Sequence, residues 1–159
     1  MECPVARTLE VVGEWWSLLI LRDALRGRRR FEEFQESLGI ARNILSRRLK
    51  RLVAAGLLDK RCYSERPLRY EYRLTDKSRD LFPVLTTLMG WGNRWASPAP
   101  GPALYLVDRD SGERVEPMLV DRASGKPLDN RNVRLVPGPG AGPETRALFA
   151  SLKHWSLRG

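Results

Sequence analysis

Two apolar stripes of helical spacing, separated by a three-residue joint, constrain the fold of this chain more than any other feature. Phe31, Phe34 and Leu38 recur at i, i+3 and i+7; beyond Gly39-Ile40-Ala41, Leu45, Leu49, Leu52 and Val53 recur at i, i+4, i+7 and i+8. Each spacing gathers its apolar side chains on one helical face, and Gly39 and Gly56 stand where the two helices should stop. A short helix, a tight joint and a second helix make a helix-turn-helix layout. The second helix is also basic. Residues 41–58 read ARNILSRRLKRLVAAGLL, with Arg42, Arg47, Arg48, Lys50 and Arg51 and no acidic residue. Arg42, Asn43, Ser46, Arg47 and Lys50 fall away from the leucine stripe.

The flanking segments complete the pattern. Val5, Leu9 and Val12 predict an amphipathic first helix. Gly13 interrupts it, and EWWSLLILRDAL then reads as a central buried helix with Trp15 and Trp16 as core or interface anchors. RGRRR at 26–30 is a polar joint. After Gly56, LLDKRCYS and LRYEYRLT read as two strands, the second alternating Tyr70 and Tyr72 with Glu71 and Arg73. Pro67 sits in the tight connection between them, with Arg66 and Arg69 at its tip. Two strands after the basic helix make the wing of a winged helix-turn-helix. Leu81, Leu85, Leu88, Trp91 and Trp95 then form a seam of helical spacing suited to packing on another helix. Pro83 would cost about 3 kcal/mol inside a helix, so a fresh helix capped by Asp80 is expected, with Pro83 in its first turn.

Beyond the linker SPAPGP the character changes. LVDRDSG at 106–112 returns as LVDRASG at 119–125, each an apolar start running into a turn signal. PGPGAGP at 137–143 must be irregular, and Leu148, Phe149, Leu152 and Trp155 share one face of a closing helix. The expected organisation is a domain over 1–96 and an extension over 97–159. The fold class is mainly α with a small β wing (α+β): a winged helix-turn-helix plus a small C-terminal hairpin and helix.

Charge points to the partner. The 159 residues carry a net charge of +9, and residues 1–96 hold 19 Lys and Arg against 12 Asp and Glu. Basic surface favours polyanions, above all nucleic acid. No apolar run is long enough for a membrane span, and the N-terminus lacks the apolar core of a secretory signal. Cys3 and Cys62 are too few for a disulfide framework and fit a reducing cytoplasm.

The blocks CPVARTLEVVGEWWSLLILRDAL, RRFEEFQESL, ILSRRLKRL, AAGLLDKR and YEYRLTDK, spread over roughly residues 3–96, resemble the HxlR-type winged-helix transcription regulators, relatives of the MarR group. The resemblance implies a homodimer on a pseudo-palindromic double-stranded DNA operator. Its dimer contacts would come from the first helix and the long helix after the wing: Val5, Leu9, Leu81, Leu85, Leu88, Trp91 and Trp95. Two departures stand out. The family commonly has Gly-Gly-Lys-Trp where this chain has Gly13-Glu14-Trp15-Trp16, and often Ser where this chain has Ala41 before the basic helix. The tail resembles a zinc ribbon whose Cys-x-x-Cys-Gly knuckles have become Asp108…Ser111-Gly112 and Asp121…Ser124-Gly125. Serine is a poor zinc ligand, so no metal or other cofactor is expected.

A helix of this kind in the major groove presents its N-terminal side chains to base edges. Arg42 and Arg47 suit guanine and Asn43 suits adenine, with Ser46 short enough for a base or a phosphate. Arg48, Lys50 and Arg51 are expected on phosphates, as are Arg66 and Arg69 on the wing. Cys3 is a candidate redox sensor, because a thiolate near Arg7 would meet the requirement for reactivity. An alternative role for the extension is to sense a small-molecule effector, with Trp91, Trp95, Phe149 and Trp155 walling an apolar pocket. A hydrolytic arrangement of His154, Asp108 and Ser111 lacks any strained nucleophile turn, and no catalytic residue is assigned.

Overall fold

The computed structural model describes residues 2–151, in two units: one from Pro4 to Met89, the other from Gly90 onward together with the residues before Pro4. The first unit opens with α1 (Pro4–Val12) and α2 (Trp15–Leu25). Gly13 joins them tightly. Its amide donates to the Leu9 carbonyl at 2.7 Å, and a Cβ there would collide with that oxygen. Trp16 packs against the core, whereas Trp15, stacked on it at 4.1 Å between ring centroids, is 62% exposed.

α3 (Phe31–Leu38) starts under a carboxylate cap. Glu33 Oε2 accepts from the amides of Arg29 at 2.7 Å and Arg30 at 2.9 Å, which holds its carboxyl below the usual carboxylate range. Gly39, at φ 60°, takes the left-handed conformation that ends the helix. α4 (Arg42–Ala54) begins after Ala41, which supplies no side-chain cap; the Ile44 amide donates to the side-chain Oδ1 of Asn43 at 2.8 Å. Gly56, at φ 68°, turns the chain out of α4.

β1 (Leu58–Glu65) and β2 (Leu68–Leu74) pair antiparallel from Leu58 opposite Leu74 to Glu65 opposite Leu68, with an irregularity between Cys62 and Ser64. The joint before α3 lies along this hairpin: Arg30 bridges to Glu71, and the Tyr72 amide donates to Arg29 O at 2.7 Å. Burial raises the Tyr72 phenol above its usual value, with the Glu32 carboxylate adding to the effect. The root of the hairpin is tied down where Thr75 Oγ1 donates to Gly56 O at 2.8 Å.

A short α5 (Asp76–Arg79) precedes α6 (Phe82–Trp95), and Pro83 does fall in the first turn of α6. The expected cap is not used. Asp80 ends α5, and the Leu81 carbonyl accepts the first α6 bond from Leu85.

The core gathers Ile20 and Leu21 of α2, Phe34 of α3, Leu45, Leu49 and Leu52 of α4, and Leu57 and Leu58 at the root of the hairpin, all essentially fully buried. At roughly 1.5–3 kcal/mol for each such side chain, this cluster is what fixes α4 to the body. Leu81 and Leu85 pack partly buried against the same cluster.

Among its described residues the second unit has little regular structure beyond β3 (Leu106–Val107) paired with β4 (Arg114–Val115), part of α6, and α7 (Pro143–Ser151). The repeated segments adopt the same turn. Gly112 N donates to Asp108 O and Gly125 N to Asp121 O, with φ 70° and 67° at the two glycines. Among the described residues the first repeat makes a strand pair and the second a single bridge, Val120 to Pro127. In this unit the Glu2 carboxylate accepts from Gly142 N at 3.1 Å and from the Thr145 hydroxyl at the start of α7. Leu152, His154 and Trp155 lie outside the described residues.

Candidate nucleic-acid interface

α4 has two faces of opposite chemistry. Leu45, Leu49 and Leu52 point into the core, while Arg42, Asn43, Arg47, Lys50 and Arg51 are exposed and Ser46 is half-buried. Among the described residues no carboxylate forms an ion pair with Arg42, Arg47, Lys50, Arg51, Arg66 or Arg69. Exposed cations without carboxylate partners set up a positive field that a polyanion can neutralise. The Arg42 guanidinium lies 4.9 Å from the Phe31 ring centroid, a cation–π contact that ties the start of α4 to α3. Asn43 keeps its amide NH2 as a donor while its oxygen caps the Ile44 amide.

Arg48 corrects the expectation. It is not a surface cation: its side chain is 7% exposed, and its guanidinium meets the Glu14 carboxylate at 2.7 Å. The reason is positional. Arg48 stands three residues after Leu45 and four before Leu52, so it shares their buried face.

The hairpin after α4 is also cationic. Arg66 and Arg69 are exposed at its tip. Lys60 Nζ sits 3.7 Å from the Tyr70 ring centroid, and the Arg30 guanidinium 4.7 Å from that of Tyr63. Neither Lys60 nor Arg30 was singled out in the sequence, although Lys60 is a cation on a strand of the expected wing.

Residues 11–100 match the family model described as HxlR-like helix-turn-helix. This chain belongs to that family. It is 46% identical over 136 residues, 86% of each chain, to an uncharacterised HTH-type transcriptional regulator, Rv3095, of Mycobacterium tuberculosis (strain H37Rv). Among solved structures it is similar to PA1607, a candidate transcription factor, with 45% identity and a TM-score of 0.76 over 84% of this chain and 94% of that one. It is likewise similar to PA1374 of Pseudomonas aeruginosa, at 48% identity and TM-score 0.65 over 92% and 99%. The redox regulator HypR, solved in reduced and oxidised forms, matches at 32% identity over 59% of this chain and 96% of that one, with a TM-score of 0.55 for the reduced form. The HxlR-like chain is thus a transcription regulator with a helix-turn-helix DNA-binding domain.

Of the apolar residues expected to meet a second copy, Val5, Leu9, Leu88, Trp91 and Trp95 are each more than half exposed in this HxlR-like chain. Leu81 and Leu85 face their own core and are not part of that exposed set. Cys3 and Cys62 are both exposed free thiols. Among the described residues, no helix is long and apolar enough to cross a membrane.

Proposed function

We propose that two copies of this chain bind a pseudo-palindromic operator and repress transcription from the cytoplasm by occupying it, without a catalytic step. In this reading residues 1–96 bind DNA and dimerise, and residues 97–159 form an appended extension open to control by a small-molecule effector. α4 enters the major groove with Arg42, Asn43, Ser46 and Arg47 at base edges, while Lys50 and Arg51 meet phosphates. Arg66 and Arg69 carry the wing against the neighbouring backbone. Val5, Leu9, Leu88, Trp91 and Trp95 supply the apolar surface that a second copy covers. The observation that carries the proposal is the exposed face of α4, where Arg42, Arg47, Lys50 and Arg51 have no carboxylate partner among the described residues, opposite a fully buried leucine stripe.

The test is selection of duplexes from a random pool by the full chain. Enriched sequences should contain an inverted repeat whose half-sites lie about one helical turn, roughly 10 base pairs, apart. Enrichment of single, unpaired half-sites would contradict the dimer, and no enrichment would contradict the operator. A second reading, control of the same DNA binding through Cys3, draws on the exposure of that thiol and on the likeness to HypR. Titrating an enriched duplex after peroxide treatment decides it: unchanged affinity removes Cys3 from the proposal.

A further inference from the structure

Among the described cations of α4, Arg48 alone is turned inward, and its partner comes from the joint that precedes α2. Glu14 is the residue before α2, in extended conformation (φ −69°, ψ 118°), and its carboxylate is half exposed while the Arg48 guanidinium is not. Its backbone is firmly held. Gly13 N donates to Leu9 O on one side, and Ser17 N donates to Glu14 O at 2.8 Å on the other. Arg48 Nε has no hydrogen-bond partner among the described residues, and the Glu14 contact is the ion pair that secures this buried cation.

The two kinds of contact on the inner face of α4 constrain different motions. Leucine burial is non-directional; it sets which face of α4 turns inward and how deeply the helix lies, and leaves the fine adjustment of rotation about its axis to directional contacts. A charge-assisted hydrogen bond is directional, and the planar guanidinium makes it more so. Rotation about that axis is the motion that would swing Arg42, Asn43, Ser46 and Arg47 away from base edges together.

We propose that Glu14 is a positioning residue for DNA recognition: through Arg48 it fixes the rotation of α4, so that the α1–α2 joint sets the aim of the base-reading side chains. The inference rests on the reading of α4 as the DNA-contacting helix, and it concerns selectivity more than attraction.

The probes are a duplex enriched by the wild-type chain and an unrelated duplex of equal length. Glu14→Gln removes a negative charge, so net charge alone would tighten binding to both. Misaimed base readers should instead lower the ratio of enriched to unrelated affinity about tenfold, the worth of one base contact. The dependence of affinity on salt should stay parallel to wild type, because no phosphate contact has been lost. Glu14→Asp, which keeps a carboxylate on a shorter arm, should recover part of the ratio. An undiminished ratio in a Glu14→Gln protein that melts cooperatively overturns the proposal. So does a steeper salt dependence, which would mean that Arg48 had been released to a phosphate. If Glu14→Gln does not fold, Arg48→Lys takes its place: it keeps the charge, loses the planar fork, and is expected to lose the same ratio. A wild-type chain that enriches no duplex defeats the operator reading itself, and this proposal with it.

Discussion

Arg47 and Arg48 are neighbours in the chain but stand about 100° apart around the helix axis, and that angle gives them different work. Arg47 is exposed with no carboxylate partner among the described residues; Arg48 is buried against Glu14. If Arg47 reads a base, Arg47→Ala should weaken binding to an enriched duplex by more than about tenfold, since a bidentate base contact carries roughly 1–3 kcal/mol. The thermal midpoint should hardly move, because no buried group is disturbed. The salt dependence tells the two roles apart: a base contact leaves its slope unchanged, whereas a phosphate contact would reduce it by about one. Quantitative titration at several salt concentrations makes the measurement. The burial of Arg48 was legible in its spacing from Leu45 and Leu52, but five positive charges in one segment invite a reading by charge ahead of position. Its partner was not legible at all. Glu14 lies far away in sequence, and only the packing of α2 against α4 brings the two together.

Elements of strong periodicity were the most readable. The leucine stripe of α4 and the short α3 ending at Gly39 follow from spacing because burial of one helical face is a demand local sequence can express. The wing was readable from the alternation at Tyr70 to Arg73, but its irregularity at Tyr63 and the lateral bridge from Arg30 to Glu71 depend on contacts between segments. The extension was visible mainly as a repeat, and the structure supplies the physical content of that repeat. Asp108 Oδ1 accepts from the amides of Asp110 and Ser111 and from the Ser111 hydroxyl at 3.1 Å; Asp121 Oδ2 accepts from Ser124 N and from the Ser124 hydroxyl at 2.5 Å. Carboxylate and hydroxyl thus close each turn by bonding to each other. Hydrogen bonds to Ser111 and Asp110 hold the Asp108 carboxyl below its usual range, and those to Ser124 do the same for Asp121. A carboxyl lowered in the folded state stabilises the turn fully above its unfolded value of about 3.9 and loses that contribution as pH falls through the folded value. Acidification should therefore leave both turns intact at pH 5 and open them only at pH values below about 3.9. Amide NMR signals of Ser111 and Ser124, followed through an acid titration, should show midpoints below that of a free Asp. Midpoints at or above it would contradict the closed turns.

For the whole molecule, the uneven distribution of charge and apolar surface has one common explanation. Net charge concentrates in residues 1–96, where α4 projects Arg42, Arg47, Lys50 and Arg51 and the tip of the wing projects Arg66 and Arg69, without carboxylate partners among the described residues. The large apolar side chains left exposed on α1 and α6 are of the kind that a second copy would cover. A dimer would double every phosphate contact while fixing the distance between two recognition helices. With Lys50, Arg51, Arg66 and Arg69 engaged on both copies, about eight phosphates would be neutralised. The logarithm of affinity should then fall against the logarithm of salt concentration with a slope of about −7. Titrating the wild-type chain into an enriched duplex across a salt series measures this directly. A steep, linear decline near that slope is the expected result; an affinity indifferent to salt would contradict the assignment of this basic face to DNA.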